Sequence, residues 1–331
     1  MNILVTGAAG YVGSICVEVL VERGYKILGL DNLTEGHRHA IPPQAGFWEC
    51  DLNDRNQLDR VFSSQPIDAV MHFAAEALVE KSVREPSTFY ATNVACGINL
   101  LDAMIRHGVR KIVFSSTAAV YGEPERVPIP EEHPKAPINP YGRSKANYTG
   151  LQHVSLRYFN AAGASKEHGE DHRTETHLIP RLLEVALGKR KHFEVNGNDY
   201  ATPDGTCVRD YVHVLDIAGA HVLALARIER FSGQAFNVGN ERGYSVMEVL
   251  DVARRVTRHP LPAVVTARRP GDPAVLVASS EKIRRALRWN PRLSNLAAIV
   301  ETAWAWRQKY PAGYAAQSEE TQSSKPGRQP A

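Results

Sequence analysis

The first 13 residues constrain the fold of this chain more strongly than any other stretch. Residues 3–5 form a short apolar run, typical of a buried parallel strand, which leads into glycines at Gly7, Gly10 and Gly13. An apolar pattern with helical spacing follows over residues 17–21. Because glycines let the backbone approach a pyrophosphate and a helix N-terminus offers free N–H groups, this strand, turn and helix predict a dinucleotide-binding site. A tight turn alone would explain the G-x-x-G-x-x-G spacing, so the order of the three elements carries the prediction.

An acidic residue at the end of the next strand indicates which dinucleotide is bound. The apolar run Lys26 to Leu30 ends at Asp31, 18 residues after Gly13. A carboxylate at this place accepts hydrogen bonds from the adenosine ribose and repels a 2′-phosphate, so NAD is favoured over NADP. The plainer interpretation of Asp31 is a helix or turn cap.

Strands and helices alternate through the first half of the chain. Further strands are expected at residues 47–50, 67–73 and 111–114, with a helix that opens at Thr92-Asn93. Small residues at Ala74-Ala75 follow one strand and leave room for a ligand. We therefore predict an α/β fold, with a doubly wound parallel Rossmann sheet and a smaller, interleaved α/β domain after it.

The sequence Pro140-Tyr141-Gly142-Arg143-Ser144-Lys145 indicates a catalytic pair. A tyrosine and a lysine four residues apart lie on one face of a helix. A phenol titrates near ~10, and a neighbouring ammonium or the positive ring of an oxidised nicotinamide lowers that pKa. Tyr141 is then expected to take a proton from a sugar hydroxyl while a hydride leaves the same carbon. Such pairs also occur by chance on many helices, so the preceding elements are needed to support this interpretation.

Composition excludes several classes of protein. The chain has 331 residues, a net charge of +3 and four scattered cysteines. This charge is too small to indicate nucleic acid or a membrane surface as a partner, and the cysteines form neither a disulfide framework nor a zinc motif. No apolar run approaches the ~20 residues of a membrane span, and the N-terminus is unlike a signal peptide. We expect a soluble cytoplasmic protein.

Several motifs, taken in order, resemble a known family across nearly the whole chain up to about Tyr314. They are the glycine turn, Asp31-Asn32, His72-Phe73-Ala74-Ala75, Ser115-Ser116-Thr117, Tyr141-x-x-x-Lys145, Arg157-Tyr158-Phe159-Asn160, Glu175-Thr176-His177-Leu178-Ile179-Pro180, the stretch from Asp199 to Tyr211 and Arg268-Arg269-Pro270-Gly271-Asp272. This set is similar to the extended short-chain dehydrogenases/reductases and, among them, to the UDP-glucose 4-epimerase family. Each motif is weak by itself, whereas the ordered set is specific.

The resemblance implies a function and a set of site residues. The expected reaction is inversion at C4 of a UDP-hexose, which interconverts UDP-glucose and UDP-galactose with bound NAD and a transient 4-keto sugar. The implied catalytic residues are Tyr141, Lys145 and Thr117. The implied NAD-binding residues are Gly7, Gly10, Tyr11, Val12, Gly13, Asp31, Asn32, Asp51, Leu52, Phe73, Ala74, Ala75, Asn93, Ser115, Tyr141, Lys145 and Phe159. The implied UDP-sugar-binding residues are Thr117, Tyr141, Asn160, His177, Leu178, Asn196, Arg209, Arg269, Asp272 and Leu276.

Within that set, individual roles follow from the family. Arg209 and Arg269 are expected to clamp the diphosphate, since forked guanidinium donors suit phosphate oxygens. Asp272 is expected to accept from the uridine ribose. Leu276 stands where the family limits the size of the sugar, which leaves N-acetylated sugars as possible substrates. Ala118-Ala119 replace the Asp-Glu pair of the related 4,6-dehydratases, which argues against elimination of water.

The chain departs from the family at two places. Between Lys145 and the strand at 154–159 lie only residues 146–153, where the family helix is longer by roughly three turns. The family's dimers pack through those turns, so the homodimer that the resemblance implies, local stability and full activity are all in doubt here. Asn196 stands where an aromatic residue is expected beside uracil.

The remaining expectations concern metals, domains and competing functions. His168, His172 and His177 suggest a metal, but no fixed-spacing carboxylate pattern accompanies them, so we expect a nucleotide-contacting loop and no metal. We expect an NAD-binding domain at 1–162, a substrate domain at 163–316 and a disordered tail at 317–331. The alternatives are a 4-epimerase of a UDP-N-acetylhexosamine, hexuronate or pentose, and a non-catalytic NAD or UDP-sugar binding protein derived from an epimerase.

Overall fold

A computed structural model describes residues 1–145, 151–269, 271–293 and 295–314. The strands are β1 Asn2–Thr6, β2 Lys26–Asp31, β3 Gly46–Glu49, β4 Ala69–His72, β5 Lys111–Thr117, β6 Gln152–Tyr158, β7 Asn160–Ala162, β8 Phe193–Asn196, β9 Val208–His213, β10 Gln234–Val238, β11 Gly243–Ser245, β12 Ala263–Thr266 and β13 Val275–Leu276. The helices are α1 Tyr11–Glu22, α2 Arg55–Ser64, α3 Val79–Arg84, α4 Pro86–Tyr90, α5 Cys96–Arg106, α6 Pro140–Ser144, α7 Leu178–Ala186, α8 Val214–Ala226, α9 Ile228–Phe231, α10 Val246–Thr257, α11 Glu281–Leu287 and α12 Leu296–Lys309.

A seven-stranded sheet forms the centre of the fold, in the order β10-β6-β5-β4-β1-β2-β3. Every pair of neighbours in it is parallel. The chain moves outward from β1 to β3 and then returns to β4 on the other side of β1. This reversal makes a crevice at the carboxyl ends of β1 and β4, where doubly wound sheets bind ligands. The predicted fold class is confirmed.

The apolar strands are buried because helices cover both faces of the sheet. Successive side chains of a strand point to opposite faces, and β1 shows this directly. Its Ile3 and Val5 belong to the core beneath α1 and α8, whereas Leu4 belongs to the core beneath α2 and α5. A strand buried on both faces has no room for polar positions, which explains the continuous apolar run in the sequence.

The second half of the chain builds a smaller layer beside the carboxyl edge of this sheet. Strand β9 pairs with β7, β11 and β13, and a separate pair is formed by β8 and β12. A second apolar core joins α7, α10 and α12. Strand β10 returns to the first sheet beside β6, so the two halves interleave in sequence. The domain boundary near residue 162 stays a prediction.

The helix predicted to open at Thr92-Asn93 begins earlier. It starts at Pro86, a residue favoured at the first position of a helix, and runs through α4 into α5. A π-helical stretch, Ala91–Ala95, joins the two, so Thr92 and Asn93 lie inside a continuous helix. Residues 146–150, which make up most of the short segment 146–153, lie outside the described residues. The predicted tail at 317–331 lies outside them too. Among the described helices, none is long and apolar enough to cross a membrane.

Candidate active site

The turn after β1 is packed closely against the protein's own backbone at two of its three glycines. Gly7 has a φ of +69°, and a Cβ on it would lie 2.4 Å from the backbone nitrogen of Ala74. A Cβ on Gly13 would lie 2.0 Å from the carbonyl oxygen of Gly7. Neither position has room for a side chain. At Gly10, the N-cap of α1, no side chain caps the helix, so its first N–H groups are available to an anionic ligand.

Asp31 ends β2 beside this turn. Its Oδ2 accepts from the backbone N–H of Ala9 at 3.0 Å, and its Oδ1 accepts from Leu33 at 2.9 Å. Burial raises the pKa of Asp31, and these backbone N–H groups oppose that shift. Asn32, next along the chain, donates to Asp51 Oδ2 at 3.0 Å. The acidic residue is therefore fixed next to the glycine turn, where a ribose-binding carboxylate would be needed.

Asn93 holds two parts of the site together. Its side chain donates to Ser144 Oγ at 2.9 Å and to the carbonyl oxygen of Glu76 at 3.0 Å. Its Oδ1 accepts from the backbone N–H of Glu76 at 2.8 Å. The residue is buried, so these contacts link the loop after β4 to α6 without solvent between them. Its proposed role in binding NAD is thus one of positioning.

Helix α6 is short, and Asn139 and Pro140 fix its N-terminus. Asn139 caps it by accepting from the N–H of Gly142 at 2.8 Å, and Pro140 occupies its first turn. Gly142 packs against the stretch after β5, since a Cβ there would lie 2.3 Å from the carbonyl oxygen of Ala119. This contact places Tyr141 next to Thr117, with which its hydroxyl forms a hydrogen bond.

The electrostatics of the pair differ from the expectation for Tyr141. Burial raises the pKa of Tyr141 above its usual value, and the hydrogen bond with Thr117 only partly opposes this. The expected lowering by Lys145 is not seen in the protein alone. Burial also lowers the pKa of Lys145 to about 7, because an ammonium loses its hydration there. The Lys145 ammonium donates to the carbonyl oxygen of Ser115 at 3.3 Å and lies over the ring of Phe114.

A second tyrosine, Tyr158 at the end of β6, lines the same cleft wall as Tyr141. Its hydroxyl forms a hydrogen bond with Ser115 Oγ. Strands β5 and β6 are in register here, with Ser115 opposite Leu156 and Thr117 opposite Tyr158. Tyr158 belongs to one of the family motifs, but the resemblance assigns it no role.

The two arginines predicted to bind a diphosphate converge on one carboxylate. Arg209 Nη2 lies 3.6 Å from Asp272 Oδ1, and Arg269 Nε lies 3.2 Å from Asp272 Oδ2. Arg209 is mostly buried, and Arg269 is more exposed. Asn196, at the end of β8, accepts from Thr266 Oγ1 at 3.2 Å.

One cleft, with a volume of about 440 Å³, is lined by most of the predicted residues. The predicted residues that line it are Gly7, Gly10, Tyr11, Val12, Gly13, Phe73, Ala75, Ser115, Thr117, Tyr141, Lys145, Phe159, Asn160, His177, Leu178, Asn196, Arg209, Arg269, Asp272 and Leu276. The predicted residues outside its lining are Asp31, Asn32, Asp51, Leu52, Ala74 and Asn93. The lining also includes Glu76, Tyr158 and Glu170, which the sequence analysis did not assign to the site, and His172, which it assigned only to a nucleotide-contacting loop. A parallel-sheet topology explains the convergence, since loops far apart in sequence meet at one edge.

The three histidines considered as metal ligands do not form one cluster. His168 pairs with Glu18, whose Oε2 lies 2.6 Å from its Nδ1. His172 and His177 lie side by side, with ring centroids 4.8 Å apart, and both contact Glu170. Burial works to lower the pKa of His177, but Glu170 and Glu175 raise it to about 10.

Comparison with known proteins agrees with this geometry. Residues 3–239 match the model of the NAD dependent epimerase/dehydratase family. The chain belongs to this family. The UDP-glucose 4-epimerase of Halalkalibacterium halodurans is 48% identical, over 97% of this chain and 100% of that protein. A solved UDP-glucose 4-epimerase from Bifidobacterium longum, in complex with NAD+ and UDP, superposes with a TM-score of 0.89 at 35% identity, over 95% of this chain and 100% of that one. The UDP-Glc/GlcNAc 4-epimerase of Campylobacter jejuni superposes with a TM-score of 0.80 at 38% identity, over 93% of this chain and 99% of that one.

Proposed function

We infer that this member of the family is a UDP-glucose 4-epimerase, an NAD-dependent isomerase that interconverts UDP-glucose and UDP-galactose. The observation that carries the inference is the hydrogen-bonded pair of Thr117 and Tyr141 beside Lys145, in the same cleft as the glycine turn and the arginine pair. Relatives that cover nearly the whole chain carry the same name. A 4-epimerase needs these three parts in one cleft: a dinucleotide, a proton-transfer residue and an anchor for the nucleotide.

The residues of the glycine turn fit NAD. The open N-terminus of α1 suits a pyrophosphate, and at Gly10 a Cβ would meet only the carbonyl oxygen of Gly7, at 3.4 Å, so this side of the turn is open. We propose that Asp31 accepts from the adenosine ribose. When bound, NAD supplies reversible oxidation of the sugar at C4, and its positive ring favours the phenolate of Tyr141.

We propose that Tyr141 moves the proton of the sugar hydroxyl. In the protein alone its pKa is raised by burial, so the phenol stays protonated until positive charge is brought near it. The pKa of Lys145 is about 7, so both the neutral amine and the charged ammonium are populated at neutral pH. Thr117 orients the phenol through the hydrogen bond between them and is placed to contact the same sugar oxygen.

The nucleotide half of the substrate is proposed to bind at Arg209, Arg269 and Asp272. The two guanidinium groups now share one carboxylate, and a diphosphate offers them more oxygen acceptors than that carboxylate does. Anchoring at the diphosphate leaves the sugar free to turn, so that its C4 can present either face to the same cofactor. Inversion therefore requires no second proton-transfer residue.

The function is tested with purified protein, UDP-galactose and no added NAD. We expect UDP-glucose to form, because NAD is regenerated within each turnover and remains bound. Tyr141→Phe should lose turnover while keeping its NAD. Tyr25→Phe, which removes a phenol hydroxyl outside the cleft, should behave like the wild type. Near-wild-type turnover by Tyr141→Phe would refute the assignment.

A second candidate, epimerisation of N-acetylated UDP-hexoses, has one specific support. Leu276 lines the cleft at the place expected to limit the sugar, and a solved relative is named a UDP-Glc/GlcNAc 4-epimerase. A panel of UDP-sugars that includes hexuronates and pentoses separates these substrates by relative kcat/KM. A non-catalytic binding protein would bind NAD or UDP and turn over none of them.

We further propose a homodimer in a reducing, cytoplasmic compartment. The homodimer is supported by apolar side chains that are 38–50% exposed along α3 to α5, namely Val83, Tyr90, Val94, Ile98 and Ile105. The compartment is supported by four buried cysteines that form no disulfide. Sedimentation of wild type and Ile98→Glu tests the dimer: the wild type should sediment as a dimer and the variant as a monomer. A monomeric wild type at micromolar concentration would contradict it.

A further inference from the structure

The segment between β7 and α7 brings two carboxylates and two imidazoles together, three of them on the cleft wall and Glu175 next to it. Glu170, His172, Glu175 and His177 each offer one ligand atom, and these four atoms all lie within 4.8 Å of one another. We call these four residues the Glu-His cluster. It is built from a different segment of the chain than Thr117 and Tyr141, which carry the proposed proton transfer and line the same cleft.

The spacing of these atoms is close to that of a metal coordination sphere. His177 Nδ1 lies 3.0 Å from Glu170 Oε1 and 3.0 Å from Glu175 Oε1. His172 Nε2 lies 3.2 Å from Glu170 Oε1. Ligand atoms about 2.0–2.2 Å from a tetrahedral Zn²⁺ are about 3.3–3.6 Å from each other. The three printed distances are a few tenths of an ångström shorter than this spacing, and the largest separation among the four atoms is at most 4.8 Å.

An unsatisfied carboxylate oxygen points to a missing ligand. The side chain of Glu175 is only 5% exposed, and its Oε2 has no hydrogen-bond partner among the residues that the structure describes. Buried polar atoms without a partner are rare in native proteins. The side chain of Glu170 is 9% exposed, so two carboxylates are buried next to each other. A divalent cation would satisfy the free oxygen, and it would replace protonated His177 as the positive charge beside the two carboxylates.

Hydrogen bonds from the C-terminal part of the chain fix the backbone at Glu170 and Asp171. Arg307 of α12 donates to the carbonyl oxygen of Glu170 at 3.0 Å and to Asp171 Oδ1 at 3.2 Å. The backbone N–H of Tyr314 donates to Asp171 Oδ2 at 2.9 Å. These contacts fix the backbone from which the Glu170 side chain extends.

We propose that the Glu-His cluster binds one divalent transition-metal ion, and that Zn²⁺ is the ion its two imidazole nitrogens and two carboxylate oxygens suit. Four protein ligands are typical of a structural site, since a catalytic zinc keeps one position open. The ion stiffens residues 170–177 against the cleft wall and takes no part in the reaction at C4. The competing arrangement is an ion pair between protonated His177 and the two carboxylates.

The test uses the full-length protein with its NAD, freed of metal by EDTA and then titrated with Zn²⁺ by calorimetry. His172→Ala and Glu175→Gln remove one ligand each, and Glu175→Gln does so with little change in shape. His192→Ala is the matched control, because it removes an exposed histidine outside the cluster. Anomalous diffraction at the zinc edge locates the ion in crystals.

We expect one Zn²⁺ per chain, with affinity at least about tenfold weaker in both ligand variants and unchanged in the control. Saturating Zn²⁺ should also raise the Tm of the wild type and not that of Glu175→Gln. A wild type that binds no Zn²⁺, an equal loss in His192→Ala, or an anomalous peak elsewhere would overturn the proposal. None of these measurements involves a UDP-sugar, so they are independent of the proposed epimerase activity.

Discussion

Replacing Gly142 by alanine tests whether the close packing of α6 sets the position of Tyr141. The new Cβ would lie 2.3 Å from the carbonyl oxygen of Ala119 and 2.9 Å from its carbonyl carbon. Since ordinary contacts begin near 3.4 Å, either α6 or the stretch after β5 must move by roughly 1 Å. That movement separates Tyr141 from Thr117, the residue to which it is hydrogen-bonded.

The expected effect is much larger on catalysis than on folding. A misplacement of about 1 Å costs about 10²-fold in rate, whereas overpacking costs about 1–3 kcal/mol of stability. The latter is partly offset, because alanine is a better helix former than glycine by about 1 kcal/mol. The assay is kcat with UDP-galactose, together with the NAD content and the Tm of the same preparation.

Gly219→Ala is the matched control for this change. Gly219 lies within α8, and a Cβ there would meet nothing within 4 Å. It should leave kcat unchanged and keep or raise the Tm. If Gly142→Ala retains kcat within about threefold of the wild type, the packing of α6 against Ala119 does not set the position of the phenol, and the reasoning fails.

Three further predictions concern stability, pH and binding. Asn93→Leu should lower the free energy of unfolding by about 1–3 kcal/mol in urea titrations, because it strands buried groups of Glu76 and Ser144; a change under 0.5 kcal/mol would contradict this. Burial lowers the pKa of His221 to about 4, so the unfolded chain binds its proton first and the stability contribution is lost as pH falls from about 6.5 to 4. His221→Leu should flatten this part of the stability profile by about 3 kcal/mol, and an unchanged acid slope would count against it. Arg209→Lys should weaken UDP binding at least about tenfold by calorimetry, since a single ammonium cannot replace the fork; equal affinity would remove Arg209 from the diphosphate site.

Local sequence patterns were enough to predict several of the individual elements. The run at residues 3–5 forms a strand, the glycine turn opens α1, and Asp31 ends β2 beside it. Each of these depends on a few consecutive residues, because backbone freedom, apolar spacing and capping act over one or two turns. The predicted helix start at Thr92-Asn93 was wrong, because the helix begins at Pro86, a residue favoured at the first helical position.

In the protein without NAD, the lowering of the Tyr141 pKa that was expected from Lys145 is absent, and the reason is physical. Two residues four apart on a helix suggest a lysine that lowers the pKa of the phenol. Helix α6 buries both side chains, and burial raises the pKa of Tyr141 and lowers that of Lys145. The cost of desolvation depends on everything that covers the pair, which no four-residue motif contains.

The sequence by itself determined the doubly wound fold, the choice of dinucleotide and the residues proposed for chemistry, since each is encoded in a short run. Only the tertiary structure decided which distant residues meet. Arg209 and Arg269 share Asp272, Asn93 joins α6 to the loop after β4, and Glu170 lies against His177. Spacings of two and three residues between glutamates and histidines carry no recognisable metal pattern, and folding of the segment is what brings their atoms within 4.8 Å. Convergence of this kind comes from packing that brings distant elements together, and periodicity in a sequence does not record it.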